Sequence, residues 1–259
     1  MAASALIDVE NLSVLFPLYH SSSRSLKKMV VAAASGRLGK DQQQRVVVRA
    51  LSGINLHLES GDRLGLVGSN GAGKTTLLRV LAGVYEPVLG RIHVKGSLNA
   101  LLDPNLGMNM ELTGRENILL RGLYNGVTKS ALPRLEDDVA DFAELSDFLD
   151  LPVRIYSAGM VVRLGFALAT AIKPQILLMD EWFLAGDAVF MDKARQRLEA
   201  MVRGADILVL SSHSIEIIRT WCTRVLWLDQ GQIVADGPAD EVLGQYLDSV
   251  PRQPVAALA

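Results

Sequence analysis

Gly68-Ser69-Asn70-Gly71-Ala72-Gly73-Lys74-Thr75 is the stretch whose reading decides the fold of this chain. It satisfies the spacing G-x-x-x-x-G-K-[ST] in full. Apolar Leu64 to Val67 precedes it and predicts a buried strand, and Thr75-Thr-Leu-Leu-Arg-Val-Leu-Ala82 follows it and predicts a helix. Between those elements the glycines let the backbone curl until several N–H groups point at one anion, and the helix start adds its positive dipole end. Lys74 is then expected to reach the β- and γ-phosphates of a nucleotide, and the Thr75 hydroxyl to hold Mg2+, with Thr76 in the same first turn. An ordinary glycine-rich turn is the plain alternative, but a chance match with both flanks correct is rare.

A second feature supplies acid chemistry. The apolar run Ile176-Leu-Leu-Met179 ends in Asp180-Glu181. A buried strand that delivers two carboxylates at its tip suits nucleotide hydrolysis: Asp180 in the second shell of Mg2+, Glu181 polarising the attacking water. Alone, an apolar strand ending in acids means little. Paired with the phosphate loop, it becomes specific.

Composition sets the frame. With 259 residues, 49% hydrophobic and 21% charged, the chain can build one large globular domain or two subdomains. A formal net charge of −2 offers no global basic field for nucleic acid. Cys222 is the single cysteine, which fits a reducing compartment. Met1 to Asp8 carries early acid and no long apolar run, so no secretory signal is expected. The longest apolar candidate, after Leu164, is broken at Lys173-Pro174, so no membrane span is expected either. A mean hydropathy of +0.25 is high for such a chain and suggests interfaces with partners.

Along the chain, Ala5 to Leu15 predicts an edge strand. Residues 20–45 form a Ser-rich, then basic insertion, in which Arg24, Lys27, Lys28, Arg37, Lys40 and Arg45 stand against Asp41, an excess of five positive charges. Leu26, Met29, Val30 and Ala33 fall there at helical spacing. This segment reads either as a solvated surface insertion or as a contact for anionic lipid or a membrane partner. Val46 to Leu58 predicts a strand pair, Gly90 to Leu102 another strand region, and Glu111 to Asp150 a helical stretch that interrupts the alternation. Strands resume at Gln175 to Met179 and Ala205 to Ser211, and a hairpin over Arg224 to Val234 turns at Asp229-Gln-Gly231. Tyr156-Ser-Ala-Gly-Met160 precedes a helical run, with Ser157 a natural N-cap.

Taken together, the phosphate loop, Tyr156-Ser-Ala-Gly-Met160 and Asp180-Glu181 resemble the ATP-binding-cassette (ABC) ATPases over roughly residues 5–240. The resemblance implies an α/β fold: a P-loop NTPase (RecA-like) core with an antiparallel β edge and an inserted α-helical subdomain. It divides the chain into a core over 46–105 and 160–240 with an edge strand in 1–19, a helical subdomain over 106–159 and a flexible tail over 248–259. It implies that Ser157, Ala158, Gly159 and Met160 form the signature that meets the γ-phosphate of an ATP held by a second copy. His213 matches the switch histidine, and Ala185-Gly-Asp187 the segment that crosses the dimer interface. Phe16 stands where the family carries an adenine-stacking aromatic, with Tyr19 as a nearby substitute. Where the family places a glutamine near Mg2+, the region reads Leu101-Leu-Asp-Pro-Asn-Leu-Gly107, leaving Asp103 as the nearest polar residue.

A narrower resemblance, carried by Leu112-Thr-Gly-Arg-Glu-Asn117, Arg163-Leu164, Asp180-Glu-Trp182 and the insertion around Ser25-Leu26-Lys27, is to bacterial exporters of O-antigen, capsule and teichoic acid. It implies an ATP-sandwich homodimer working with two copies of a separate transmembrane permease at the cytoplasmic face of the inner membrane, without nucleic acid. No C-terminal carbohydrate-binding domain, as some members carry, is expected within this length. An ABC ATPase for another cargo (lipid, drug or small solute), or a soluble ABC ATPase outside transport, are the competing readings.

Overall fold

The elements follow in chain order as β1 (Leu6–Pro17), β2 (Leu38–Lys40), β3 (Val46–Glu59), β4 (Arg63–Val67), α1 (Lys74–Leu81), β5 (Leu89–Lys95), β6 (Leu98–Leu101), α2 (Gly114–Tyr124), α3 (Leu132–Ala143), α4 (Ala158–Thr170), β7 (Ile176–Asp180), α5 (Ala188–Gly204), β8 (Ile207–Ser211), α6 (Ile215–Trp221), β9 (Arg224–Asp229), β10 (Gln232–Pro238) and α7 (Ala239–Ser249). This computed structural model describes residues 4–17, 38–40, 46–102, 108–181 and 188–249. They fall into two compact units, Met1–Gly96 with Ile207–Ala259, and Ser97–Asp206.

In the first unit, alternation of apolar residues builds an antiparallel sheet in the order β2-β3-β1-β5. Ile7, Val9, Leu12 and Val14 of β1 are buried, as are Leu51, Ile54, Leu56 and Leu58 of β3. Two expectations are corrected here. Residues 5–15 do not form an edge strand: β1 pairs with β3 on one side and β5 on the other. The approach of β5 depends on Gly90, at φ 86, where a Cβ would lie 2.4 Å from the carbonyls of Glu10 and Asn11. Nor is Val46 to Leu58 a strand pair. It is one strand, bulged where its register against β1 shifts between Leu12 and Val14, and the chain turns after it at Ser60-Gly61.

The same unit holds three parallel strands, β9-β4-β8, with β10 antiparallel outside β9. Leu64, Leu66 and Val67 of β4 and Ile207 to Leu210 of β8 are all buried, the pattern of strands covered on both faces. Gly65 makes room for α6: a Cβ there would lie 2.7 Å from Ile218 and 3.4 Å from the Cys222 sulfur.

In the second unit β6 and β7 run parallel, and α2, α3, α4 and α5 belong to the same unit. Thr113 and Glu116 close a reciprocal capping box at the start of α2. Phe142, Phe166 and Phe190 pack ring to ring from α3, α4 and α5, with the Arg197 guanidinium 4.4 Å over the Phe142 ring. Among the described residues, no helix is long and apolar enough to cross a membrane.

Candidate functional site

The first unit builds the phosphate loop at the carboxyl end of β4, where parallel sheets place their ligands. Gly68 turns the chain at φ 144, and a Cβ there would lie 2.1 Å from the Leu228 carbonyl oxygen. The Ala72 N–H donates to the Ser69 carbonyl at 3.0 Å, and the Leu77 N–H to the Gly73 carbonyl at 2.8 Å. Gly73, left-handed at φ 116, is the N-cap of α1 and offers no side-chain cap. The first-turn N–H groups therefore have no capping side chain competing with an anion. Lys74 is buried at 7% exposure, and its ammonium donates to the Gly68 carbonyl at 2.7 Å and the Ser69 carbonyl at 3.3 Å. Those carbonyls solvate a charge that burial alone would penalise heavily. Ser69, Asn70, Gly71 and Thr75 are exposed, and Thr76 is half-buried.

A clamp holds this loop from the far end of the chain. The β9–β10 turn runs through Gln230 (φ 48) and Gly231 (φ 79), two left-handed residues as a tight hairpin requires. The Gly231 N–H reaches the Ala72 carbonyl of the loop. The sequence signals the turn without its partner, because a turn signal says nothing of what the turn touches.

Also in this unit, His213 is exposed two residues past β8, and Ser214 beyond it caps α6 through the Ile217 N–H. Phe16 is half-buried and meets Tyr85 edge to face, with ring centroids 5.2 Å apart. The Arg79 guanidinium donates to the Tyr85 hydroxyl at 3.0 Å, which fixes that ring. Tyr85 was missed from sequence, where nothing distinguishes it from any loop aromatic.

In the second unit, β7 carries buried Ile176 to Met179 and ends in half-buried Asp180 and Glu181. Glu181 adopts φ 43, a left-handed conformation that non-glycine residues rarely take and that clusters at functional sites. Ser157 caps α4, its hydroxyl accepting from the Met160 N–H at 3.3 Å. Ser157, Ala158 and Gly159 are exposed and Met160 half-buried, so this helix start faces solvent. A Cβ on Gly159 would meet nothing nearer than the Ser157 hydroxyl at 4.0 Å. Tyr156 anchors the turn from behind: its hydroxyl donates to the Phe148 carbonyl at 2.6 Å, and burial raises its pKa. Asp103, Tyr19, Lys27, Lys28 and Ala185-Gly-Asp187 lie outside the described residues.

Each unit carries an oxygen donor of the kind Mg2+ takes. Thr75 presents an exposed hydroxyl at the start of α1, and Asp180 a half-buried carboxylate, both hard oxygens. Among the described residues, no group of three or more His, Cys, Asp or Glu side chains forms a metal cage. Mg2+ commonly takes one or two protein oxygens and completes its shell with substrate phosphates and water.

Comparison with known proteins agrees with this geometry. The profile described as ABC transporter matches residues 51–184. The chain is 43% identical over 229 residues to the O-antigen export system ATP-binding protein RfbE of Yersinia enterocolitica, covering 86% of this chain and 94% of that protein. It is 37% identical to the O-antigen export system ATP-binding protein RfbB of Myxococcus xanthus, covering 82% of this chain and 49% of the relative. It is 33% identical to the teichoic acids export ATP-binding protein TagH of Lactococcus lactis, covering 93% and 50%. The chain thus spans about half the length of the latter two. Among solved structures, an ATP-binding subunit of an ABC transporter matches with a TM-score of 0.67 at 22% identity, covering 93% of each chain. The ATP-binding cassette MJ0796, a dimer bound to ADP and Pi, matches with a TM-score of 0.64 at 18% identity, covering 90% of this chain and 98% of that one. These two likenesses bear on the fold alone.

Proposed function

The chain belongs to the ABC transporter family of ATP-binding proteins, and from that premise we propose that it is the ATP-hydrolysing subunit of an exporter of a lipid-linked polysaccharide. Two copies sandwich two ATP molecules. On each face, Gly68 to Thr76 cradle the phosphates, Thr75 and Asp180 hold Mg2+, Glu181 activates water and His213 contacts the γ-phosphate. Phe16 stacks on adenine, and Ser157, Ala158, Gly159 and Met160 of the other copy close the site through the helix N-terminus. Asp103 stands near Mg2+ in place of the family's glutamine. Mg2+ would supply charge neutralisation of the phosphates; the protein supplies position and a dry enclosure.

ATP binds the closed dimer better than the open one, so binding closes it and hydrolysis reopens it. The core (46–105 and 160–240, with the strand in 1–19) drives a helical subdomain (106–159), which passes closure to two copies of a separate transmembrane permease. The protein then sits at the cytoplasmic face of the inner membrane as a peripheral subunit, with the positive charge of residues 20–45 favouring anionic headgroups.

The observation that carries the nucleotide reading is the uncapped start of α1, with the Lys74 ammonium turned onto the loop that precedes it. The cargo rests on the likeness to the O-antigen export proteins of Yersinia and Myxococcus. Replacing the gene with a Lys74→Ala version tests both. Surface polysaccharide should be lost, with lipid-linked glycan accumulating inside, and the purified variant should bind ATP weakly. Normal surface glycan in a strain lacking the protein overturns the cargo; wild-type ATP affinity in Lys74→Ala overturns the site.

A further inference from the structure

The β8 strand reads Ile207-Leu-Val-Leu-Ser211, four apolar residues and one serine, all buried. Ser211 has 0% exposure, and its hydroxyl has no hydrogen-bond partner. It is the one buried side-chain nitrogen or oxygen so placed among the described residues. An apolar residue of similar size would hold this strand better, because an unsatisfied buried hydroxyl is destabilising.

Its position is informative. Ser211 pairs with Leu66, two residues before Gly68, at the carboxyl ends of parallel β8 and β4. The register step before it pairs Leu210 with Gly65, and Gly65 faces Ile218 of α6 and Cys222 just past its end. Side chains alternate along a strand, so Ser211 and Leu66 share the opposite face. Meanwhile, the buried Gly68 carbonyl accepts from the Lys74 ammonium at 2.7 Å. When phosphates take up that ammonium, the carbonyl loses this donor.

We propose that Ser211 is a positioning residue whose hydroxyl donates to the Gly68 carbonyl once Lys74 has turned to the phosphates of a bound nucleotide. The exchange leaves the orphan hydroxyl satisfied in the nucleotide-bound state and unsatisfied without it, which gives the site differential affinity for that state. It also ties the end of β8, two residues before His213, to occupancy of the loop. The proposal rests on the nucleotide reading of the loop given above.

The test compares wild type, Ser211→Ala and Lys74→Ala as full chains, by titration with a non-hydrolysable ATP analogue plus Mg2+ and by thermal melting. Ser211→Ala should melt, without nucleotide, at or above the wild-type temperature. Its affinity for the analogue should fall roughly five- to tenfold, the worth of about one hydrogen bond. A purely structural serine would not separate the two readouts in this way. Unchanged affinity overturns the proposal. So does a lower melting temperature without nucleotide, since that would mean the hydroxyl is already partnered. Wild-type affinity in Lys74→Ala instead overturns the loop reading itself, whatever Ser211→Ala does.

Discussion

The backbone N–H of Gly231 donates to the carbonyl of Ala72 at 2.8 Å, while the Gly231 carbonyl accepts from the Ser52 N–H at 2.9 Å. One residue of a late hairpin thereby ties the phosphate loop to β3. A loop that must present N–H groups to an anion gains from being held in shape beforehand, because less ordering remains when the ligand arrives.

Gly231→Ala should break this clamp. The residue sits at φ 79, and a Cβ would lie 2.4 Å from the Ala50 carbonyl oxygen. The expected loss is about 1–3 kcal/mol of unfolding free energy in urea, with weaker ATP binding by calorimetry. A variant as stable and as tight as wild type would show that the contact is incidental.

Glu181→Gln should retain Mg-ATP binding and lose turnover by roughly 10²–10⁴-fold, the range for removing a general base. Size-exclusion chromatography with ATP should show accumulated dimer. Because Glu181 already holds φ 43, glutamine of the same shape leaves the backbone problem unchanged. Hydrolysis at the wild-type rate would remove Glu181 from the reaction.

Gly159→Asp separates binding from closure. Beyond the adjacent residues and the helix's own backbone, no heavy atom lies closer than 4.0 Å to the Cβ it adds, so the monomer should fold and bind ATP normally. The added carboxylate at a helix start meant for phosphate should abolish ATP-driven dimerisation, as read by light scattering. Dimers that form as readily as in wild type would argue against this helix end as the second wall.

The helical stretch should be acid-sensitive. The Glu116 carboxylate accepts from the Thr113 N–H at 2.8 Å and the Thr113 hydroxyl at 2.9 Å, which holds its pKa below the ordinary 4.5. Asp150, bonded to Arg115, is likewise held below 3.8. Folded values lower than unfolded ones mean that this support is complete above the unfolded pKa and disappears as pH falls through the folded one. Melting temperature should therefore decline below pH 4.5, and Glu116→Gln should flatten part of that decline. An identical pH profile for the variant would count against the capping box as its source.

Much of the local structure around the candidate site was legible from the chain because its signals are local. The spacing from Gly68 to Thr75, the acids after Met179 and the N-cap at Ser157 each lie within a few residues, and each recurs in the structure where the pattern placed it. Strand order was less legible. The alternation in β1 shows which face is buried and cannot show that β5 comes to lie beside it. Nor does a hydrophobic run with Gly53 inside announce that it will carry a bulge against β1.

The order of residues alone determined the glycine-rich loop, the carboxylates and the helix starts, since backbone conformation and nearby side chains suffice to build them. Only the tertiary structure decided that β1 is flanked on both sides, that Gly231 grips Ala72, and that the Ser211 hydroxyl is buried without a hydrogen-bond partner. These are meetings between segments far apart in the chain. A side chain's pattern records whether it is to be covered, and leaves open which distant segment will cover it.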